Sequence, residues 1–133
     1  MIFLDSSYLV AVAVESDQNH PKAIRLNREI AKGEFGKAVI SDYIFDETIT
    51  VIFGRTKDID KAVQVGTNLF ASAEVINVGD KRFMEAWNLF KVQRSTRLSF
   101  TDCTTLSIMR ERAIPNMATF DEDFKKVKWV KVA

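Results

Sequence analysis

Short apolar runs alternate with longer stretches whose apolar residues recur every three or four positions, the pattern of parallel strands joined by amphipathic helices. Residues 1–4 are too short an apolar run for a helix and suit a strand buried on both faces. Helices are predicted over residues 6–14 and 21–32, the second with Ala23, Ile24, Leu26, Ile30 and Ala31 as its apolar positions. Pro21 falls in a first turn, where its missing N–H costs nothing, and Asn19 or His20 is placed to cap it. Residues 38–40 form a second candidate strand. Ser41 and Asp42 then offer an N-cap for a helix running to Phe53 and stopped by Gly54. A helix over 58–71, a strand over 74–78 and a helix from Gly79 to about Gln93 follow. Phe83, Ala86, Trp87 and Phe90 repeat at helical spacing in that last segment and are read as core. Residues 97–100 suggest a short strand, 101–112 a helix, 116–119 a strand and 121–124 a single turn. Residues 127–132 alternate apolar positions with lysines, as an edge strand does, and Lys125, Lys126, Lys128 and Lys131 form a solvated edge that blocks strand pairing. The expected fold class is α/β. It is one three-layer α/β/α sandwich with a central, mostly parallel sheet of about five strands, in a single domain over residues 1–133.

Composition narrows the class without changing it. With 47% hydrophobic and 28% charged residues, the chain can bury a core that needs no disulfide or metal staple. Cys103 is the only cysteine, which suits a reducing compartment. The longest apolar stretch, residues 8–14, is far short of the roughly 20 residues of a membrane span. Its N-terminal flank carries Asp5 and no basic residue, so it is a poor signal peptide, and a soluble cytoplasmic protein is expected. A net charge of +1 argues against simple coating of nucleic acid, although an acidic excess in the first fifty residues gives way to a basic excess in the next fifty.

The acids carry the chemistry. Apolar runs end in Asp5, Asp42, Asp102 and Asp121, and in open parallel sheets the ligand crevice lies beyond the carboxyl ends of the strands. Glu47 lies among Tyr43, Ile44, Thr50 and Val51 on a largely apolar face, where a lone carboxylate is costly. Asp46 sits beside it and looks more solvent-facing, and Asp42 keeps the reading of a helix cap. Converging carboxylates repel one another unless a cation holds them, and an all-oxygen set favours Mg²⁺ or Mn²⁺ over zinc. Ser6, Ser7, Thr101 and Thr119 flank the acids, either as turn and cap residues or as groups that orient the carboxylates. Asp123 either replaces Asp121 or holds its turn. His20 is the only histidine and is read as structural; a Ser-His-Asp machine would have to rely on it alone. Glycine-rich phosphate loops are absent, which excludes nucleotide hydrolysis of that kind.

Four segments in order carry a resemblance. Ile2-Phe3-Leu4-Asp5-Ser6-Ser7, Ser41-Asp42-Tyr43-Ile44-Phe45-Asp46-Glu47, Leu98-Ser99-Phe100-Thr101-Asp102 and Ala118-Thr119-Phe120-Asp121-Glu122-Asp123-Phe124 resemble the motifs of PIN-domain proteins. More narrowly, the chain is similar to the VapC-type toxins of prokaryotic toxin–antitoxin pairs. The resemblance implies a Mg²⁺- or Mn²⁺-dependent endoribonuclease, with Asp5, Glu47, Asp102 and Asp121 as catalytic and metal-binding residues. It implies supporting roles for Ser7, Thr101, Thr119 and Asp123, and products with a 3′-hydroxyl end. Implied partners are an RNA substrate such as tRNA or another structured RNA, a VapB-like antitoxin and a second copy of the chain. Apolar residues of the first half, including Ile24, Phe45 and Ile52, supply either an interface or ordinary core. Cys103 stands where the family often has Ala. Rival readings are a PIN nuclease of RNA processing, an inactive PIN scaffold and a phosphoacceptor domain. The last wants an acidic pair after its first strand, where this chain has Asp5-Ser6-Ser7.

Overall fold

The computed structural model describes residues 1–133. Five strands form one parallel sheet: β1 (Ile2–Leu4), β2 (Ala38–Ser41), β3 (Glu74–Ile76), β4 (Asn116–Ala118) and β5 (Lys131–Val132), in the spatial order β3-β2-β1-β4-β5. Ile2 pairs with Ala38 on one side and Asn116 on the other, so β1 is the central strand. Its three residues are buried, with Ile2 and Phe3 fully covered, which is why the run is apolar throughout rather than alternating.

Six helices join the strands: α1 (Ser6–Ala13), α2 (His20–Ala31), α3 (Asp42–Thr56), α4 (Ile59–Ser72), α5 (Gly79–Lys91) and α6 (Phe100–Glu111). The chain steps from β1 to β2 to β3 through α1–α4, then crosses back to β4 through α5 and α6. Right-handed crossovers put those two helix groups on opposite faces of the sheet. The direction of winding reverses at β1, and the crevice between the carboxyl ends of β1 and β4 is the topological switch point.

Several ends follow the expected capping chemistry. Ser41 Oγ accepts from the Ile44 N–H at 3.1 Å, and an Asp58 oxygen accepts from the Lys61 N–H at 3.1 Å. Asn19 occupies the cap position of α2 without a side-chain bond. Gly54, by contrast, does not stop α3. The helix continues to Thr56 and ends on Lys57 in the left-handed region at φ 54°. Ile52, buried with Val10, Val14 and Ala62, anchors those last turns and outweighs the roughly 1 kcal/mol that a glycine costs inside a helix. At Gly66, a Cβ would lie 3.2 Å from the Phe45 ring, so its bare backbone is what lets α3 and α4 approach.

The expected strand over 97–100 does not form. Gln93 takes the hydrogen bonds a neighbouring strand would have supplied: its Oε1 accepts from the Leu98 N–H at 2.8 Å and its Nε2 donates to the Leu98 carbonyl at 2.9 Å. Ser99 then caps α6, so Asp102 is the third residue of a helix rather than the end of a strand. At the other end, only Lys131–Val132 of the expected edge strand pairs, because a 3₁₀ helix (Glu122–Lys126) and a local Val130-to-Val127 hydrogen bond use up the preceding backbone.

The aromatic residues of α5 are not core. Phe83, Trp87 and Phe90 are 44%, 45% and 38% exposed, and Ala86 is the one buried residue of the helix. The place against the sheet belongs to α6, buried continuously from Cys103 to Met109. The outer helix α5 needs only a narrow buried line. Its rings instead make a surface cluster with Phe100, 5.0 Å from Phe83 and 6.4 Å from Phe90 between ring centres.

Candidate active site

Asp5 follows β1 directly, and its N–H donates to the Ala118 carbonyl, which extends the β1–β4 ladder to the acid itself. It is 3% exposed. Ser7 Oγ and Thr119 Oγ1 each donate to Asp5 Oδ2 at 2.7 Å, while the Phe120 and Asp121 N–H groups donate back to those two hydroxyls at 3.0 Å. One hydroxyl pair thus ties the start of α1 to the segment that carries Asp121.

Glu47 enters from α3. Ser6 Oγ donates to Glu47 Oε2 at 2.6 Å, and the side chain is half-buried. Its neighbour Asp46 is exposed and is met by Thr50 Oγ1 at 3.4 Å, so Glu47 is the acid that turns inward. Asp102 enters from α6 through a capping box, in which Asp102 Oδ2 accepts from the Ser99 N–H at 2.9 Å and Ser99 Oγ accepts from the Asp102 N–H at 3.0 Å. Asp121 Oδ1 accepts from the Asp123 N–H at 2.9 Å.

Electrostatics join the four acids. Burial pushes the Asp5 carboxyl above its ordinary value, Ser7 and Thr119 pull it back, and the Glu47 charge pushes it further up. Burial likewise raises Asp102 to about 6; the Ser99 N–H opposes this, and Asp5 and Asp121 add to it. None of Asp5, Glu47, Asp102 and Asp121 forms an ion pair with a lysine or arginine. A cleft of acids at the switch point without an internal cation suits a hard divalent ion held by oxygen. No three of the acids converge closely enough to cage an ion by themselves.

The remaining expected residues divide. Asp123 holds the turn: its carboxylate pairs with Lys126 at 3.0 Å and is kept below its usual range by that contact. Thr101 makes no hydroxyl contact with an acid. Ser99 serves Asp102 instead, because a capping box links the cap residue to the third helical position and skips the second. Asp42 stays outside the cleft and accepts from the Val78 N–H at 2.9 Å, tying α3 to the start of α5. His20 Nδ1 lies 2.7 Å from the Ala11 carbonyl oxygen, a contact between α1 and α2. Ser99 was not singled out from the sequence as a partner of the acids, and Ser6 was read there only as one of four hydroxyl residues flanking them, without Glu47 as its partner. The Ser-x-x-Asp spacing signals the pair of Ser99 and Asp102, whereas nothing local signals that of Ser6 and Glu47.

A family model described as PIN domain matches residues 2–130. The chain belongs to the PIN-domain family. Among individual PIN-domain proteins, it is 26% identical over 132 residues to the 23S rRNA-specific endonuclease VapC20 of Mycobacterium tuberculosis, covering 99% of this chain and 98% of that one. The crystal structure of that protein, described as a sarcin-ricin loop cleaving toxin, matches with a TM-score of 0.86 at 26% identity, covering 98% and 97% of the two chains. VapBC2 from Rickettsia felis, solved bound to a DNA fragment from its promoter, shares the PIN fold with a TM-score of 0.70 at 14% identity, over 100% and 98% of the chains.

Proposed function

We propose that this chain is a VapC-type toxin, a PIN endoribonuclease that hydrolyses RNA phosphodiester bonds with a bound Mg²⁺ or Mn²⁺. The observation that carries the reading is a set of carboxylates at the switch point, Asp5 buried and the other three half-buried, with no lysine or arginine paired to any of them, on a chain matched end to end by an rRNA endonuclease. Asp5, Glu47, Asp102 and Asp121 would hold the ion, in part through its bound waters. When bound, it would lower the pKa of water and stabilise negative charge on the phosphate. The protein's part is to keep the acids fixed: Ser7 and Thr119 orient Asp5, and Ser99 orients Asp102. The walls of the cleft also remove water from Asp5.

A structured RNA is the substrate class that this reading favours, with ribosomal RNA first to be tried. A VapB-like antitoxin and a second copy of the chain are the partners it brings. Two exposed apolar surfaces support the partner reading. One is a groove of about 600 Å³ between α3 and α4, lined by Phe45, Ile49, Phe53, Ile59, Val63 and Phe70, and the other is the ring cluster on α5. Phe45 belongs to that groove, whereas Ile52 is core.

The test is cleavage of rRNA fragments, tRNA and unstructured RNA by purified protein, with Mn²⁺, with Mg²⁺ and with EDTA, beside Asp5→Asn. Wild type should cut only with the ion. Asp5→Asn keeps the volume and removes a ligand charge, so it should lose at least about 100-fold in rate with an unchanged fold. Equal cleavage by Asp5→Asn, or cleavage that survives EDTA, would overturn the assignment.

A further inference from the structure

We propose that Ser6 is a positioning residue that fixes the orientation of Glu47 and, through it, the affinity of the acidic cleft for a divalent cation. The inference rests on the metal-dependent reading above and gives Ser6, one of the hydroxyl residues flanking the acids, a specific carboxylate to hold.

The contact is short and non-local. Ser6 Oγ donates to Glu47 Oε2 at 2.6 Å across 41 residues of sequence, at the short end of the range for O–H···O hydrogen bonds. Glu47 has three rotatable side-chain bonds, and no other hydrogen bond restrains its carboxylate. A long acid left unrestrained beside Asp5 would swing away from a like charge and toward water. The hydroxyl of Ser6 holds it in place.

Two consecutive serines divide the work. Ser7 is fully engaged: it donates to Asp5 and accepts from the Phe120 N–H. Neighbouring positions on a helix point about 100° apart, so Ser7 cannot also reach α3 and Ser6 cannot reach Asp5 as Ser7 does. Ser6 is the first residue of α1, and Asp5 makes no side-chain cap to that helix end. Ser6 is also what distinguishes the two adjacent acids of α3, since Asp46 faces solvent and Thr50.

Valine and threonine have the same shape, so Ser6→Thr and Ser6→Val isolate the hydroxyl. Mn²⁺ binding to metal-free protein is measured by titration calorimetry for wild type, both variants, and each variant in a Glu47→Ala background. Ser6→Val should bind Mn²⁺ about 10–100-fold more weakly than Ser6→Thr, as expected when a ligand loses its orienting partner. In the Glu47→Ala background the two should differ by less than about twofold, because the hydroxyl then has nothing to orient. Equal Mn²⁺ affinity of Ser6→Thr and Ser6→Val overturns the proposal, and so does a difference that persists without Glu47. If wild type binds Mn²⁺ and Asp5→Asn does not, either of those results removes Ser6 alone and leaves the cleft reading standing. Wild type that binds no Mn²⁺ removes the cleft reading and this inference with it.

Discussion

Three of the four acids are met by a serine or threonine: Asp5 by the Ser7 and Thr119 hydroxyls, Glu47 by the Ser6 hydroxyl, and Asp102 by the Ser99 N–H of its capping box. The acids themselves were legible, because an acid that ends an apolar run is visible in the sequence. Their partners were less so. Ser6 and Glu47 meet only once α1 packs on α3, and the choice between Asp46 and Glu47 waits on that packing. Asp102 gives a test without metal. Its folded value of about 6 lies above the ordinary 3.8, so the folded protein holds the proton more tightly than the unfolded chain. Stability is therefore lost as pH rises from about 4 to about 6, and the loss is complete above that. Asp102→Asn has no such titration. In EDTA it should be more stable than wild type at pH 8 by on the order of 1–2 kcal/mol, with the gap closing near pH 4. Urea unfolding at the two pH values measures this, and a gap independent of pH would show that burial does not strain this carboxyl.

Elements were read better than their ends. All six helices appear where the apolar spacing places them, since a long periodic stretch is a redundant signal. The errors arose where a tertiary contact overrode a local cue. Gly54 lies inside α3 because Ile52 is anchored beneath it, and the helix stops at Lys57 instead. A left-handed lysine carries a Cβ clash that glycine lacks. Lys57→Gly should raise stability by about 0.5–1 kcal/mol, seen as a higher urea midpoint at unchanged slope. A lower midpoint would mean that the lysine side chain contributes more than its backbone strain costs. The α5 rings mark the opposite error: helical spacing gives a face but not its neighbour, and the sheet-facing place had gone to α6.

At the scale of the molecule, α/β class and parallel strands were legible from the alternation of short and long segments. Strand order was not, because periodicity says nothing about which side of β1 each later strand joins. That order places Asp5 and Asp121 in one crevice, so a cation held there would depend on the whole fold. An ion that binds only the assembled cleft stabilises it by about 2.7 kcal/mol at a hundred times its dissociation constant. Millimolar Mn²⁺ should raise the melting temperature of wild type by several degrees, EDTA should reverse the shift, and Asp5→Asn should not show it. An equal shift in Asp5→Asn would place the ion elsewhere.

The central position of β1 also has a temporal side. Asp5 is made well before the hydroxyl that holds it, since Thr119 follows 114 positions later, and β4 must arrive before β1 is paired on both edges. A chain interrupted anywhere before Thr119 carries the first acids without the cleft. Whatever chemistry the cleft performs is thereby withheld from every copy that stops short of β4, and assembles only once Thr119 has been made.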